Sequence, residues 1–372
     1  MFEEQIIFDP VELGYTSCRI PGILVTKDNV VLATVEARPG TGGDWSGNDI
    51  LLRRSADGGR TWGPIVKIVD HSDYGEGPIN NFCMVDDADG VVHALFCQDY
   101  ARVYQIDSRD GGLTFSAPRE ITEVFQRVEY PWRVVAVGPA HGTRMRNGRL
   151  VFPVWMADST ANPIQARPRM HMPSVTTAVY SDDNGRSWRM GTIAGPDTPE
   201  TVNPNETVAV ELTDGSLLFN MRNMTVPKRR RLITVSPNGA TNWSKPVYDE
   251  ALLEPICMAS LVRQSWPTET EPGRIVFANP DVLEQVLRKH PFMMDRKRVT
   301  AQLSEDDCKT WCAKRVIHEG PSSYSDLGVD ADGVLLCLYE CDLYCAPNGV
   351  PGNMTTRNVT LARFDIDWIK GL

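Results

Sequence analysis

Arginine, glutamate and tyrosine side chains recur at matched distances from a series of tight polar turns along this sequence. About eight residues before three of these turns lie Arg19, Glu206 and Tyr324, and about eight residues after three of them lie Arg38, Arg222 and Glu340. Arginines bind carboxylates through charge-assisted hydrogen bonds, and a carboxylate can remove the proton of an attacking tyrosine. Packing does not explain these residues, because the inner positions of buried strands should be apolar. The pattern therefore predicts a functional site.

The strongest part of this pattern is Glu206 and Arg222, which lie 16 residues apart around the Asp214-Gly215 turn. An antiparallel hairpin places residues at equal distances from its turn side by side, so we expect an ion pair across the two strands. A cross-strand Glu–Arg pair is usually a surface salt bridge of little energetic weight. Its match to the other charged positions favours a functional role here.

Six hairpins should position these side chains. Short β-branched and aromatic runs flank polar turns that are spaced 58 to 67 residues apart, at Asp28-Asn29, Asp89-Gly90, Asn147-Gly148, Asp214-Gly215, Pro272-Gly273 and Asp332-Gly333. Six units of about 62 residues account for the 372-residue chain. A linear solenoid needs capping ends, which we do not find in the sequence, whereas a closed propeller needs none.

The sequence therefore predicts an all-β, six-bladed β-propeller with four-stranded antiparallel blades. We expect one catalytic domain over residues 1–372, in which the N-terminal strand closes the last blade. The only convincing helical pattern covers residues 281–290.

A second repeat has the pattern Ser-x-Asp-x-Gly-x-Thr-Trp. It occurs at residues 55–62, 108–115 and 181–188, with diverged copies at 236–243 and 304–311. The pattern is typical of a turn in which the Asp accepts backbone N–H groups, the Gly takes a positive φ and the aromatic residue packs beneath. Because the aspartates recur from unit to unit, we interpret them as structural rather than catalytic.

These repeats resemble the Asp boxes of the sialidase (neuraminidase) superfamily, whose members are six-bladed propellers. Motifs that resemble those of bacterial-type sialidases follow in the family's order over essentially the whole chain. Arg19, in Arg19-Ile20-Pro21, matches the first arginine of the family's carboxylate-binding triad, and Arg222 matches the second. Arg296 resembles the third, with the nearby Arg298 as an open alternative.

The resemblance also assigns the reacting groups. Tyr324 matches the family's nucleophile, and Glu206 matches the acid/base partner of that tyrosine. Asp44 matches the general acid, although Asp49 lies only five residues further on and the bulky Trp45 adjoins Asp44. Two further positions resemble contacts to sugar hydroxyls, namely Arg38 and Asn80.

The implied activity is that of an exo-α-sialidase, which releases terminal sialic acid with retention of configuration through a glycosyl-tyrosine intermediate. The substrate carries a carboxylate on the carbon that is attacked, so an ionised Asp or Glu would be repelled where a neutral tyrosine can approach. Tyrosine-nucleophile sialidases are a known exception to the two-carboxylate rule of glycosidases. The chemistry requires neither a metal ion nor an organic cofactor.

Two alternatives stay open at this point. The same site could act on a related 2-keto nonulosonic acid, or divert the intermediate to transfer or elimination, and Trp45 and Asn80 are the reasons to keep this option. A non-catalytic sugar-binding propeller would be expected to lack at least one of Arg19, Arg222, Tyr324 and Glu206, and the sequence has all four. Linkage preference and oligomeric state do not follow from the sequence.

Charge and composition limit the partners. A net charge of −10 argues against nucleic acid or an anionic membrane, and no run approaches the roughly 20 apolar residues of a membrane span. The acidic start of the chain lacks signal-peptide features, so we expect a cytoplasmic protein that acts on a small-molecule or glycan sialoside. The spacing of the nine cysteines fits zinc sites poorly, and we interpret them as buried thiols.

Overall fold

The computed structural model describes residues 1–160, 169–226, 228–285, 294–345 and 354–372, and within these ranges strands dominate. The helical segments of these ranges are short: α1 (Thr122–Phe125), α2 (Ile366–Lys370) and a 3₁₀ helix, His71–Tyr74. The chain is therefore all-β, as the sequence predicts. Within the described ranges, no helix has the length and apolar character needed to cross a membrane.

The helix predicted over residues 281–290 is wrong in its first half. Residues 281–285 form no helix, and residues 286–290 lie outside the described residues. The physical reason is that this backbone bonds to another segment: the N–H of Asp281 donates to the carbonyl of Arg298, and the carbonyl of Glu284 accepts from Asp295.

The chain divides into two compact units, one comprising Met1–Ile79 with Leu253–Leu372 and the other Asn80–Leu252. The first unit holds two antiparallel sheets. One has the order β2 (Ser17–Val25), β3 (Val31–Arg38), β4 (Asp49–Ser55) and β5 (Ile65–Val69). The other has seven strands in the order β1 (Phe2–Phe8), β24 (Met354–Phe364), β23 (Leu335–Cys345), β22 (Ala313–Val329), β21 (Lys297–Ser304), β20 (Arg274–Pro280) and β19 (Ser260–Ser265).

The second unit holds three antiparallel sheets. Their strands, in chain order, are β6 (Ile79–Asp86), β7 (Val92–Gln98), β8 (Arg102–Ser108) and β9 (Arg119–Glu120); β10 (Val134–Val137), β11 (Thr143–Arg144), β12 (Leu150–Ala157), β13 (Ser174–Ser181) and β14 (Arg189–Met190); and β15 (Thr207–Glu211), β16 (Leu217–Met221), β17 (Arg230–Ser236) and β18 (Val247–Leu253). Four-stranded antiparallel order is thus the common pattern, as predicted. The prediction of a single domain over the whole chain remains a prediction.

β22 is unusually long, with 17 residues, and changes its partner midway. From Ala313 to Pro321 it pairs with β21, and from Ser322 to Val329 it pairs with β23. At the other end of this sheet, β1 pairs antiparallel with β24, from Phe2 opposite Phe364 onward.

All six predicted hairpin turns are confirmed, because each one joins two consecutive strands of one sheet. The strands after these turns are apolar and buried on both faces; every residue of β3 and β12 is buried. The last strands of several sheets, such as β9 and β14, are instead short and polar, as edge strands are in soluble proteins. The buried strands β2 and β3 carry Arg19 and Arg38, and Glu206 and Arg222 directly adjoin the buried strands β15 and β16.

The repeated Asp turns are also confirmed as structural. In the first copy, Oδ1 of Asp57 accepts the backbone N–H groups of Arg60 and Thr61 at 3.1 and 2.9 Å. Gly59 takes a φ of 80°, and Cys308 takes 63° at the same place in a diverged copy. Each copy follows the third long strand of its sheet, so the aspartates brace the turn toward the edge strand.

We expect Asp110→Ala to lower the free energy of unfolding by about 1 kcal/mol at neutral pH, because this exposed carboxylate accepts N–H groups from Leu113 and Thr114. The bond from the Thr114 hydroxyl is the largest cause that lowers the pKa of Asp110 to about 2. Its stabilisation is therefore present above the usual Asp pKa of about 4 and is lost as the pH falls toward 2.

Denaturant unfolding at several pH values checks this prediction. The difference between wild type and Asp110→Ala should shrink as the pH falls from about 5 to about 2. Glu269→Ala, which removes an exposed carboxylate, is the matched control. A difference that stays constant over this range would contradict the assignment.

Candidate active site

Tyr324 lies on β22 just after this strand exchanges β21 for β23 as its partner, where the pairing register shifts between Ser322 and Ser325. Its side chain is buried, with two guanidinium groups beside the ring. The guanidinium carbon of Arg19 lies 5.1 Å from the ring centroid and that of Arg296 lies 5.3 Å from it. Two cations at this distance stabilise negative charge on the phenol and leave it as a candidate nucleophile.

Glu340 fixes the position of Arg19. This fully buried carboxylate on β23 accepts from Nε of Arg19 at 3.2 Å, from Nη2 at 3.2 Å, and from the backbone N–H of Ile20 at 2.9 Å. The Ile20 N–H can turn toward Glu340 because Ile20 has a φ of 55° and the β2–β3 register shifts between Arg19 and Gly22. A positive φ is rare for a β-branched residue, so the chain is held in this conformation by its surroundings.

The charges of this pair sustain one another. Burial alone would raise the pKa of Glu340, but Arg19 and the Ile20 N–H outweigh it and lower that pKa. Burial likewise opposes the charge of Arg19, and Glu340 outweighs it, so the pKa of Arg19 rises above its usual value. Arg19 is thus a permanently charged group with a fixed orientation.

Arg296 is held at Tyr324 by two further bonds. Its Nη1 donates to Oγ of Ser323 at 3.2 Å, and its Nη2 donates to the carbonyl of Ile256 at 2.6 Å. Ile256 is a second β-branched residue with a positive φ, of 63°. Arg298, the alternative left open by the sequence, is exposed and pairs with Glu319, with Nε 3.2 Å from Oε2. The structure therefore brings Arg296 to Tyr324 and directs Arg298 elsewhere.

Arg38 is enclosed by two carboxylates. Its Nε and Nη2 both donate to Oε2 of Glu36, at 3.0 and 2.6 Å, and its Nη1 donates to Oδ1 of Asp44 at 2.7 Å. The Arg38 side chain is 1% exposed and that of Asp44 is 44% exposed. Asp44 is thus accessible as an acid, whereas a contact between Arg38 and a sugar hydroxyl remains a prediction that requires some rearrangement.

Asp49, the rival of Asp44, is itself buried and accepts hydrogen bonds from several partners. It accepts from the Tyr15 hydroxyl at 2.6 Å and from the His71 backbone N–H at 3.0 Å, and it pairs with Lys67 at 2.9 Å. Burial would raise the pKa of Asp49, but the bonds from Lys67, Tyr15 and His71 outweigh it and lower that pKa. Asp49 therefore has the surroundings of a structural carboxylate, and Asp44 is the better candidate for a proton donor.

The remaining predicted residues belong to the second unit. Glu206 and Arg222 adjoin the ends of β15 and β16, form an ion pair through Oε2 and Nη1, and share a backbone hydrogen bond of 2.9 Å. The predicted cross-strand pair is therefore confirmed. Asn80 is fully buried on β6, and its Nδ2 donates to Oδ1 of Asn81 at 3.3 Å.

The sequence pattern placed Glu340 among the matched positions without a specific role and did not single out Glu36; in the structure these two carboxylates hold Arg19 and Arg38. The signal was present, because a charged residue in an otherwise apolar inner strand needs a buried partner. Glu36 and Arg38 lie two residues apart on one face of β3, a spacing that predicts contact. Glu340 lies on a different strand from Arg19, and only the tertiary structure brings it there.

Cysteines and metal-ligating residues add little to the site. Eight cysteine side chains are described, all as free thiols, and seven of these are buried. Among the described residues, one group of His, Cys, Asp or Glu side chains has its ligand atoms within 4.8 Å of one another: Asp49, Asp70 and His71. The Lys67 ammonium lies 2.9 Å from a carboxylate oxygen of both Asp49 and Asp70, where a metal ion would compete with it.

Comparison with known proteins agrees with the geometry. Residues 24–337 match the model of the BNR repeat-like domain family. A curated relative named Sialidase, from Micromonospora viridifaciens, is 30% identical in an alignment of 400 residues. This alignment covers all of this chain and 55% of the relative. A second Sialidase, from Bacteroides fragilis, is 26% identical over 87% of the chain and 59% of that relative. The chain thus spans little more than half the length of these two relatives.

Solved structures share the fold at low sequence identity. The Hadza microbial sialidase Hz136 superimposes with a TM-score of 0.78 at 22% identity, over 98% of this chain and 69% of that one. A leech intramolecular trans-sialidase complexed with 2,7-anhydro-Neu5Ac gives a TM-score of 0.77 at 16% identity, over 99% of this chain and 71% of the leech chain. From the family match over most of its length, the chain belongs to the BNR repeat-like domain family.

Proposed function

We propose that this protein is a retaining exo-α-sialidase, which releases terminal sialic acid through a covalent glycosyl-tyrosine intermediate. The observation that carries the proposal is that the guanidinium groups of Arg19 and Arg296 lie 5.1 and 5.3 Å from the ring centroid of Tyr324. A phenol flanked by two fixed cations is suited to attack a carbon that bears a carboxylate. The sialidases among the sequence relatives support the same activity.

We also propose that the sheets form six blades. Six hairpin turns mark six units, and the seven-stranded sheet divides at β22 into two four-stranded groups. One group is β19, β20, β21 and the first half of β22; the other is the second half of β22 with β23, β24 and β1. With the four-stranded groups β2–β5, β6–β9, β10–β14 without the short β11, and β15–β18, this division gives six blades.

The substrate carboxylate would bind to the arginines. Glu340 occupies Nε and Nη2 of Arg19, so the Nη1 edge of that guanidinium remains for the ligand. Arg296 is oriented by Ser323 and Ile256, so little side-chain entropy is lost when it binds. The family resemblance assigns Arg222 as the remaining guanidinium of the triad. Charge-assisted bonds from three arginines would fix both the position and the orientation of the sugar.

The nucleophile needs help to lose its proton, because an unperturbed tyrosine has a pKa of about 10. The resemblance assigns Glu206 as the proton acceptor, and the cations at Tyr324 stabilise the charge that develops on its oxygen. Attack of the tyrosine oxygen on the anomeric carbon forms a carbon–oxygen bond between the sugar and Tyr324, and the bond from that carbon to the aglycone oxygen breaks. Water then displaces the tyrosine, so two inversions give net retention.

Asp44 would protonate the departing oxygen and later activate the water. In the ligand-free protein, Arg38 stabilises the Asp44 carboxylate as an ion pair, so Asp44 must exchange this partner for a proton before it can act as an acid. Arg38 is therefore placed to influence the protonation of Asp44 as well as any contact with the sugar.

A second outcome is kept because the fold also occurs in the leech intramolecular trans-sialidase. An NMR time course with an alkyl α-sialoside separates the possibilities. We expect the α-anomer of free sialic acid to appear first and then to mutarotate. A β-anomer as the first product would contradict retention, and a bicyclic anhydro sugar would indicate transfer to an internal hydroxyl. Parallel assays with the N-glycolyl and deaminated sugars would define the nonulosonic acid.

We expect Tyr324→Phe to lower kcat by at least about a thousandfold, because the variant lacks the attacking oxygen. The fold should persist, since the ring and its guanidinium contacts remain. The measurement is kcat on an aryl sialoside, beside a thermal melt.

Tyr339→Phe is the matched control, because Tyr339 is a buried tyrosine of the same sheet whose hydroxyl donates to Oε1 of Glu4 at 2.5 Å. It should lose stability and keep most of its turnover. Turnover near that of the wild type in Tyr324→Phe would refute the nucleophile assignment.

We expect Glu340→Gln to weaken binding of a 2,3-dehydro sialic acid analogue about tenfold, or ~1.4 kcal/mol, because Arg19 loses the charge that orients it. The inhibition constant of the neutral methyl ester of that analogue serves as the control. Equal weakening for the acid and its ester would show that Glu340 supports the pocket generally and not the carboxylate contact.

A further inference from the structure

The proposed acid lies on a loop with little packing of its own. Residues 39–48, here called the acid loop, connect β3 to β4 and carry Asp44 near their middle. Four of these ten residues are glycines: Gly40, Gly42, Gly43 and Gly47. Two local bonds shape the loop, from the N–H of Gly42 to the carbonyl of Pro39 and from the N–H of Ser46 to the carbonyl of Gly43. Arg38 binds the Asp44 carboxylate directly, and contacts at the ends of the loop fix the backbone that carries it.

At the end of the loop next to β4, the contact is His71. β5 pairs with β4 up to Val69, opposite Ile50, and Asp70 then caps the 3₁₀ helix by accepting the N–H of Ser72 at 3.0 Å. This turn brings the His71 ring back to the start of β4. Its Nδ1 lies 2.7 Å from Oδ1 of Asp49, and its backbone N–H donates to the same oxygen at 3.0 Å.

Asp49, which binds the His71 ring, is itself held by two other side chains. Tyr15 and Lys67 bind the other carboxylate oxygen of Asp49, at 2.6 and 2.9 Å. Burial, and then Asp49, raise the pKa of Tyr15 to about 12, so the Tyr15 hydroxyl keeps its proton and remains a hydrogen-bond donor at neutral pH. Asp49 thus holds the imidazole from a rigid position on β4.

Gly47 packs directly against this ring. A Cβ atom placed on Gly47 would lie 2.6 Å from both Cδ2 and Nε2 of His71, well inside contact distance. Gly43, in the same loop, differs: a Cβ there would meet only Oγ1 of Thr41, at 3.4 Å. The acid loop therefore fits against His71 at Gly47, three residues beyond Asp44.

We propose that His71 is a positioning residue for the general acid, and that its ring sets the place of Asp44 by packing against Gly47. The inference deepens the proposed function and rests on it. It gives a catalytic purpose to the cluster that Tyr15, Lys67 and His71 form around the buried Asp49, which is otherwise only a structural network beside the loop.

Leaving-group chemistry distinguishes a positioned acid from general stability. An alkyl sialoside expels a strongly basic alkoxide unless the oxygen is protonated, so its cleavage depends on Asp44. The leaving group of an aryl sialoside with an acidic phenol departs as the phenolate, so its cleavage needs little protonation by Asp44. A displaced acid loop should therefore slow the alkyl substrate and spare the aryl substrate, whereas a loosened fold should slow both.

The experiment measures kcat and KM for both substrates in four variants of the full chain: Gly47→Ala, His71→Ala, the double variant, and Gly43→Ala as the control that adds the same methyl group. We expect Gly47→Ala and His71→Ala each to lower kcat on the alkyl sialoside at least about tenfold, a partial loss of the roughly 10²–10⁴-fold that a general acid contributes. Changes on the aryl sialoside should stay below about threefold. Gly43→Ala should match the wild type on both substrates.

The double variant tests whether the two residues act through one contact. Because the added methyl group then occupies space vacated by the ring, its loss should be no greater than that of His71→Ala alone. Losses that multiply, or equal losses on both substrates, would overturn the role of His71. Suppose that the wild type cleaves the aryl sialoside and that the variants keep the wild-type ratio of alkyl to aryl turnover. That result would overturn the role of His71 and leave the proposed function standing. A wild-type protein inactive on both substrates would overturn both proposals.

Discussion

The buried carboxylate of Glu340 is the constraint on which much of the site depends. An uncompensated charge in a protein interior costs several kcal/mol, so this group requires cationic and N–H partners from other strands. Arg19 and the Ile20 N–H supply them, and to do so β2 departs from regular pairing and Ile20 adopts a left-handed conformation. The same arrangement directs Arg19 to the ring of Tyr324. Electrostatic compensation and the geometry of the site thus have one origin.

In the first unit, separate hydrogen-bond networks orient the individual arginines of the candidate site. Glu340 orients Arg19, Ser323 and Ile256 orient Arg296, and Glu36 orients Arg38. In each case a guanidinium is held by an acceptor that is buried or supplied by the backbone. Such preorganisation lowers the entropy lost on ligand binding, and it explains why left-handed β-branched residues, Ile20 and Ile256, occur beside two of these arginines.

The sequence was sufficient for features that repeat or that lie close together along the chain. Polar turns predicted the six hairpins, the recurring Asp turns were identified as structural, and the symmetry around Asp214-Gly215 predicted the Glu206–Arg222 pair. Contacts between distant strands were beyond its reach, because nothing local encodes which strand will supply the partner of a buried charge. Arg296 and Arg298 differ in their partners from other segments, and Asp44 and Asp49 differ in burial, and neither difference can be read from the local sequence.

The uninterrupted β22 has a consequence for how this chain can change its length. Most consecutive strands here are joined by turns or loops, which can accept extra residues at the surface. Between Ala313 and Val329 there is no such connection, and Tyr324 lies within that stretch. One inserted or deleted residue would reverse the alternation of side chains along the strand and direct the phenol to the opposite face. Length variation in related chains is therefore expected to avoid this segment and to accumulate in the loops around it.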